Sequence, residues 1–191
     1  RLTLLQSNIP PKFKAIAIQR LNQLSMMEPG EPEYFKLKNW VDNFMRIPFS
    51  TYKNLTININ DGIDKCSEYV ISAKKQLDTC VFGLNDAKMQ IMQMLGQWIS
   101  NPAAMGTAIA INGPMGTGKT SLVKEGISKI LNREFAFIPL GGATDSSYLE
   151  GHSYTYEGST WGKIVDILIR SKSMNPVIYF DELDKISETP K

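Results

Sequence analysis

The chain has 191 residues, of which 42% are apolar and 21% are charged, values typical of a globular protein with one core or two small ones. Its formal net charge of +2 is too small to indicate a nucleic-acid-binding surface. No apolar run reaches the ~18 residues of a membrane span, and no secretory signal is visible. Because the chain begins at Arg1 rather than at Met, we expect it to be a piece of a longer protein.

The cysteines and the single histidine indicate little metal chemistry. Cys66 and Cys80 form no CxxC pair and have no metal-ligand spacing with His152. We interpret both as free thiols in a reducing compartment, the cytoplasm or the mitochondrial matrix. Cys66 lies on an apolar stripe, which favours a buried small side chain over a nucleophile. A lone histidine such as His152 lacks the partners of a metal ligand.

The first part of the chain has the apolar spacing of helices. Apolar residues recur every three or four positions in residues 11–26, in residues 32–46 and from Ile63 to Leu77. Prolines stand at the start of the first two segments. We predict three helices whose apolar stripes pack against one another in a small all-α unit, residues 1–78. Residues 79–191 are predicted to form the first part of an ATP-binding α/β unit.

A phosphate-binding motif follows the next predicted helix, residues 85–99. Residues 107–112 are a short β-branched run that predicts a strand, and apolar residues from Leu122 to Leu131 recur at helical spacing. Between them lies the pattern G-x-x-x-x-G-K-T, in the strand–loop–helix order that a phosphate-binding loop requires. The motif and the residue after it are Gly113, Pro114, Met115, Gly116, Thr117, Gly118, Lys119, Thr120 and Ser121.

The residue types in this loop suit a nucleoside triphosphate. Glycines let successive N–H groups point inward, and the helix N-terminus adds partial positive charge. Lys119 is predicted to reach the β- and γ-phosphates in a catalytic role, and the Thr120 hydroxyl to ligate Mg²⁺. The alternative is a glycine-rich turn with a lysine at the helix start, which the flanking strand and helix disfavour. We therefore expect ATP and Mg²⁺ as cofactors.

Two later segments predict a parallel sheet. Phe135–Leu140 is typical of a strand, and Pro139 makes it an edge strand because proline cannot donate to a ladder. Residues 177–180 are bulky and apolar, as in a strand buried on both faces. A predicted helix with apolar residues at 164, 165, 167 and 168 lies between them. Gly126 in the helix after the loop suggests that this helix closely approaches the sheet.

Two carboxylates follow the second strand. Ligands of parallel sheets bind at the carboxyl ends of strands, which would bring Asp181 beside the magnesium ion at Thr120. We assign Asp181 to the metal, through water, and Glu182 to orienting and polarising the attacking water. The alternative is a buried strand that simply ends in solvated acids. The strand–helix alternation after a phosphate loop favours the functional interpretation and the α/β P-loop NTPase class.

Several motifs resemble known ATPases, and one family in particular. Gly113–Ser121 with Asp181-Glu182 resembles the Walker A and Walker B motifs of AAA+ ATPases. The ATPase module of Lon proteases has similar elements in the same order and spacing: Leu140-Gly141-Gly142 with Asp145, Gly151-His152 with Thr155-Tyr156, and Asn175-Pro176 with Asp184-Lys185. The segments around Pro10 and Glu31 resemble the helical segment that precedes that module. The resemblance covers nearly the whole chain.

This resemblance implies the ATPase part of an ATP-dependent serine (Ser–Lys) protease in protein quality control. Such proteins form homo-oligomeric rings, hexamers in this family, that unfold protein substrates and thread them into a proteolytic chamber. Phe82, Gly83 and Leu84 correspond to the adenine-side segment, and Tyr156 to the pore loop that grips substrate. Glu157 stands where the family usually has an aliphatic residue, which alters the expected grip. No membrane or nucleic-acid partner is implied.

The sheet is expected to be incomplete in this chain. The resemblance places a further strand, a sensing residue, an arginine finger, a helical lid and the Ser–Lys dyad beyond Lys191. We therefore expect the chain alone to hydrolyse ATP negligibly. Three alternatives remain open from the sequence: an AAA+ remodeller without a protease domain, a DNA-handling AAA+ ATPase such as a clamp loader, and a non-catalytic nucleotide-binding scaffold.

Overall fold

The computed structural model describes residues 2–103, 106–141, 146–151 and 161–185. Contacts divide the chain into two compact units: Arg1–Tyr52 with Ala143–Pro176 and Ser187–Lys191, and Lys53–Gly142 with Val177–Ile186. The domain boundary after residue 78 stays a prediction, and the contact-based division is drawn elsewhere. None of the described helices is long and apolar enough to cross a membrane.

The described elements are mostly helices, with two short strands in the last third of the chain. In chain order they are α1 (Leu2–Gln6), α2 (Pro11–Met26), α3 (Pro32–Arg46), a 3-10 turn (Ile59–Asp61), α4 (Ile63–Cys80), α5 (Asn85–Ser100), α6 (Lys119–Ser121), a π-helical segment (Leu122–Ile127), α7 (Ser128–Ile130), β1 (Phe135–Pro139), α8 (Ser147–Glu150), α9 (Lys163–Ser171), β2 (Val177–Asp181) and a 3-10 turn (Leu183–Lys185). We refer to the three consecutive segments from Lys119 to Ile130 as the phosphate-loop helix.

The first unit contains α1, α2 and α3, and the predicted bounds of α2 and α3 are confirmed. A proline stands in the first turn of each, where its missing N–H costs no intrahelical hydrogen bond. Leu4, Ile9 and Ala17 form a small buried cluster. This unit also contains α8 and the predicted α9, which buries Ile167.

The core of the second unit lies between α4, α5 and the phosphate-loop helix. Its buried residues include Leu77 from α4, Leu95 from α5 and Leu122 from the phosphate-loop helix. The expectation that the stripe of α4 packs with those of α2 and α3 is therefore wrong. The helical spacing identified the buried face of α4 correctly but carried no information about its partner.

The middle of the phosphate-loop helix is π-helical, and α4 lies very close to it at Gly126. A Cβ at Gly126 would lie 2.9 Å from Leu77 Cδ2 and 3.2 Å from Cys80 Sγ, so only glycine fits. Wide π turns leave backbone carbonyls without their usual partners. The Gln76 amide donates to the Glu125 carbonyl at 2.9 Å, and the Ser128 hydroxyl donates to the Lys124 carbonyl. Gly126 thus marks a helix–helix approach and not the predicted helix–sheet approach.

Strands β1 and β2 pair in parallel, with Phe135 opposite Val177 and Pro139 opposite Asp181. The Leu140 N–H continues the ladder to the Asp181 carbonyl at 2.9 Å. Among the described residues β1 pairs with β2 alone, as expected for an edge strand. The prediction that β2 is buried on both faces is wrong here, because its residues are half-buried and Phe180 is 40% exposed.

Residues 107–112 do not form the predicted strand within the described part of the chain. Ile109 and Ile111 nevertheless pack against the core of the second unit. A strand is defined by the ladder to its neighbour, and no described strand forms hydrogen-bonded pairs with this segment. The apolar pattern therefore predicted the burial but not the hydrogen bonding.

Candidate nucleotide-binding site

Two glycines give the phosphate loop its curled backbone. Gly116 and Gly118 have φ angles of +76° and +85°, in the left-handed region that other residues rarely adopt. The Thr117 hydroxyl donates to the Pro114 carbonyl at 3.0 Å and closes the turn from inside. The phosphate-loop helix begins directly after Gly118, so its first N–H groups face the end of the loop. This is the backbone arrangement that anion binding at a helix start requires.

Lys119 lies folded over the loop. Its Nζ donates to the carbonyls of Gly113 at 2.8 Å and Pro114 at 2.7 Å. These two hydrogen bonds hold the ammonium group at the loop rather than extended into solvent. Phosphate oxygens would compete with these two carbonyls for the same ammonium group. Ser121 is exposed and ends the first turn of the helix.

The segment before α5 lies against the loop. A Cβ on Gly118 would be 3.0 Å from Val81 Cγ1, a close approach that glycine permits. The Lys88 ammonium group fixes this segment by donating to the Val81 carbonyl at 2.7 Å and to Asp78 Oδ1 at 2.9 Å. The predicted adenine-side residues follow at once, and Phe82 is fully exposed there. Gly83 and Leu84 turn the chain into α5 with positive φ angles.

Thr120 and Asp181 meet through a third side chain, Tyr179. The Thr120 hydroxyl donates to the Tyr179 hydroxyl at 3.5 Å, and this hydroxyl donates to Asp181 Oδ1 at 3.3 Å. The carboxyl end of β2 therefore faces the start of the phosphate-loop helix. The two residues predicted to hold magnesium therefore contact one and the same phenol oxygen.

The Glu182 carboxylate does not face the phosphate loop. Its backbone is left-handed, with φ of +55°, and its Oε1 accepts a hydrogen bond from Lys185 Nζ at 2.6 Å. Its other oxygen packs on Gly141, where a Cβ would lie 2.1 Å from Oε2. The hydrogen bond and the negative charge of Glu182 raise the pKa of Lys185 above its ordinary value. The structure therefore does not bring Glu182 to the loop as it brings Asp181.

The oxygen donors at this position fit a magnesium ion that keeps water ligands better than they fit a metal held by protein ligands alone. No group of three or more His, Cys, Asp or Glu side chains in the described ranges could hold a metal ion. Thr120 and Asp181 offer one hydroxyl and one carboxylate, both hard oxygen donors. Mg²⁺ characteristically uses one or two such protein ligands and takes the others from water and phosphate.

Sequence reasoning missed three residues of this site: Val81, Lys88 and Tyr179. Val81 and Lys88 belong to a turn and a helix without a motif of their own. Tyr179 was read only as one more apolar strand residue, although alternation along β2 puts it on the same face as Asp181. Tyr156, Glu157 and His152 lie outside the described residues, so their roles stay predictions.

Comparisons with known proteins show which families this sequence is similar to. Residues 109–190 match the model of the ATPase family associated with various cellular activities (AAA). A Lon protease homolog of Acanthamoeba polyphaga mimivirus is 35% identical over 95% of this chain. A Lon protease of Nitratidesulfovibrio vulgaris is 33% identical over 96%, and the mitochondrial Lon protease homolog 1 of Dictyostelium discoideum is 32% identical over 94%.

The chain spans only about a fifth of these relatives, 18%, 21% and 18% of their lengths in the same order. The AAA match includes both the phosphate loop and the end of β2, and it confirms the α/β P-loop NTPase class. The resemblance to Lon proteases is likewise confirmed. Over nearly its whole length the chain is therefore homologous to the segment of Lon proteases that carries their AAA+ ATPase module.

Proposed function

We propose that this chain binds ATP with Mg²⁺ between the phosphate loop and the carboxyl end of β2. The observation that carries the proposal is the meeting of Thr120 and Asp181 at the Tyr179 hydroxyl, next to a glycine-curled loop at a helix start. Thr120 and Asp181 would hold a magnesium ion, whose charge would offset that of the phosphates. The two oxygen donors and the loop N–H groups are what such a ligand requires.

Each side chain has one proposed task. The Lys119 ammonium would exchange the Gly113 and Pro114 carbonyls for phosphate oxygens. Thr120 and Asp181 would hold the metal, and Phe82, Gly83 and Leu84 would line the adenine side. Glu182 would orient the attacking water, which requires that its carboxylate leave Lys185 and Gly141. Hydrolysis therefore needs a rearrangement at Glu182 that nucleotide binding does not.

For the whole protein we propose an ATP-driven, ring-shaped protease that unfolds and translocates proteins. The printed names of the relatives, Lon protease and Lon protease homolog, support this proposal. A Ser–Lys dyad, a hexameric ring, and substrate grip by Tyr156 and Glu157 belong to the same proposal. Free Cys66 and Cys80 are compatible with a reducing compartment, the cytoplasm or the mitochondrial matrix.

The test is the affinity for a fluorescent ATP analogue in the presence of Mg²⁺. Lys119→Ala is expected to weaken binding at least about tenfold, because a charge-assisted contact to phosphate is lost. Lys124→Ala on the same helix is the matched control and should leave the affinity unchanged, because Lys124 is exposed and lies beyond the loop. Equal affinities of the two variants would overturn the proposal.

A further inference from the structure

The ring of Tyr179 is held by other aromatic residues of the sheet. It stacks on Phe137 with ring centroids 5.9 Å apart and an interplanar angle of 25°. Phe135 lies on the same side at 6.2 Å. These contacts, together with the paired backbone of β2, fix where the phenol oxygen lies. Its position between Thr120 and Asp181 is thus set by the sheet and not by those two residues.

A phenol has one hydrogen to donate and an oxygen that accepts. Here the hydrogen goes to Asp181 Oδ1, and the oxygen accepts from Thr120. One carboxylate oxygen of Asp181, Oδ1, therefore accepts a hydrogen bond from the protein itself. Both contacts, at 3.3 and 3.5 Å, are longer than an ordinary O–H···O hydrogen bond of ~2.7 Å. The arrangement leaves room to tighten when a ligand enters.

We propose that Tyr179 is a positioning residue that orients the Asp181 carboxylate and the Thr120 hydroxyl, and so sets how strongly nucleotide binding depends on magnesium. The inference rests on the proposed function, because it concerns the same site. A partner of this kind acts on the metal only through the ligand that it orients. Removing the hydroxyl should weaken the response to magnesium while leaving the contacts of the phosphate loop intact.

Tyr179→Phe is the variant that isolates the hydroxyl, since it keeps the ring and its stacking on Phe137. Tyr69→Phe is the matched control in the same unit. The Tyr69 hydroxyl donates to the Ile130 carbonyl at 2.7 Å, at the far end of the phosphate-loop helix from Thr120. Both variants lose one phenol hydrogen bond, but only one loses it at the proposed metal site.

The experiment measures the affinity of the purified protein for a fluorescent ATP analogue over a magnesium titration and again in EDTA. Tyr179→Phe should raise the Mg²⁺ concentration that gives the half-maximal effect about three- to tenfold. Its affinity in EDTA should stay within about twofold of the wild type. Tyr69→Phe should match the wild type in both measurements. An unchanged magnesium midpoint for Tyr179→Phe, or an equal loss in EDTA, overturns the proposal.

Two further measurements distinguish a failure of the proposed function from a failure of the role proposed for Tyr179. Asp181→Asn combined with Tyr179→Phe should shift the magnesium midpoint by less than the product of the two single fold-changes, because part of the effect of the tyrosine passes through that carboxylate. If Tyr179→Phe unfolds, Tyr179→Leu takes its place and must show the same shift. A wild-type protein that binds no nucleotide overturns the proposed function as well, whereas normal wild-type binding with additive shifts overturns only the role of Tyr179.

Discussion

Two neighbouring acids at the end of β2 lie in different surroundings. Asp181 is the last residue of the strand, in register with Pro139, and its side chain faces Thr120 through Tyr179. Glu182 follows in a left-handed conformation, and its carboxylate pairs with Lys185 in the next turn. The ladder therefore holds Asp181 at the proposed binding site, while Glu182, beyond the end of the ladder, turns away. The proposed binding and hydrolysis roles thus fall on residues with different backbone conformations and different partners.

The largest expected effect separates the two acids by function. Glu182→Gln in the full-length protein should lower the rate of ATP hydrolysis about 10²- to 10⁴-fold, because the amide cannot act as a base. Its affinity for nucleotide should stay within about twofold of the wild type. Steady-state phosphate release and nucleotide titration measure the two quantities. Asp181→Asn is the contrasting variant, and the comparison fails if both substitutions weaken binding equally.

A smaller effect is expected from crowding the Glu182 carboxylate. Gly141→Ala places a methyl group 2.1 Å from the present position of Oε2, so the side chain must leave Gly141. Because this oxygen ends a flexible and exposed side chain, we expect a few-fold change in hydrolysis and less than about 1 kcal/mol in the free energy of unfolding. Phosphate release and denaturant melts give both quantities.

Gly96→Ala in α5 is the control for Gly141→Ala, since nothing lies within 4 Å of its added Cβ. It should leave hydrolysis unchanged and stabilise the protein by about 0.5–1 kcal/mol, because alanine is the better helix former. A hydrolysis rate that is the same in both variants would show that the contact of Glu182 with Gly141 has no part in turnover.

The smallest effect concerns the charge pair itself. The hydrogen bond from Lys185 to Glu182, and then the charge of Glu182, raise the pKa of the ammonium group. A raised lysine pKa favours folding at all pH values below the ordinary lysine pKa, and this contribution is lost as pH rises through the folded value. It should therefore persist at neutral pH and disappear only in strongly alkaline solution.

NMR titration of the Lys185 side chain tests this pair directly. In Glu182→Gln the pKa of Lys185 should fall back toward its ordinary value, because the first two causes of the shift are removed. An undiminished Lys185 pKa in the variant would assign the shift to Asp184 and Asp181, the remaining acids that raise it.

Local signals in the sequence were enough for the helices and for the loop. Pro11 and Pro32 mark helix starts by their own covalent geometry, and the glycines at 116 and 118 lie where the motif requires positive φ. These features depend on residues adjacent in the chain. The same holds for Asp181, whose place at the end of an apolar run predicted its place at the end of a strand.

The features that the sequence did not predict depend on distant residues. The missing ladder at residues 107–112, the packing of α4 on Gly126 and the bridge at Tyr179 all require a partner many positions away. A periodic pattern states which face of an element is buried but not what covers it. The position of Glu182 was not predicted for a second reason. Nothing in the sequence Asp181-Glu182 predicts the left-handed backbone conformation of Glu182.

The π-helical segment affects the choice of substitutions in the phosphate-loop helix. A bond from one N–H to the fifth preceding carbonyl, such as Ser128 to Val123, takes up one residue more than an α-helical bond. The turn that carries Lys119 and the turn that carries Ile130 are consequently out of phase on a helical wheel. Sequence alignments that allow no gap here would pair α4-facing positions with solvent-facing ones, and substitutions borrowed from a regular helix would be placed on the wrong side.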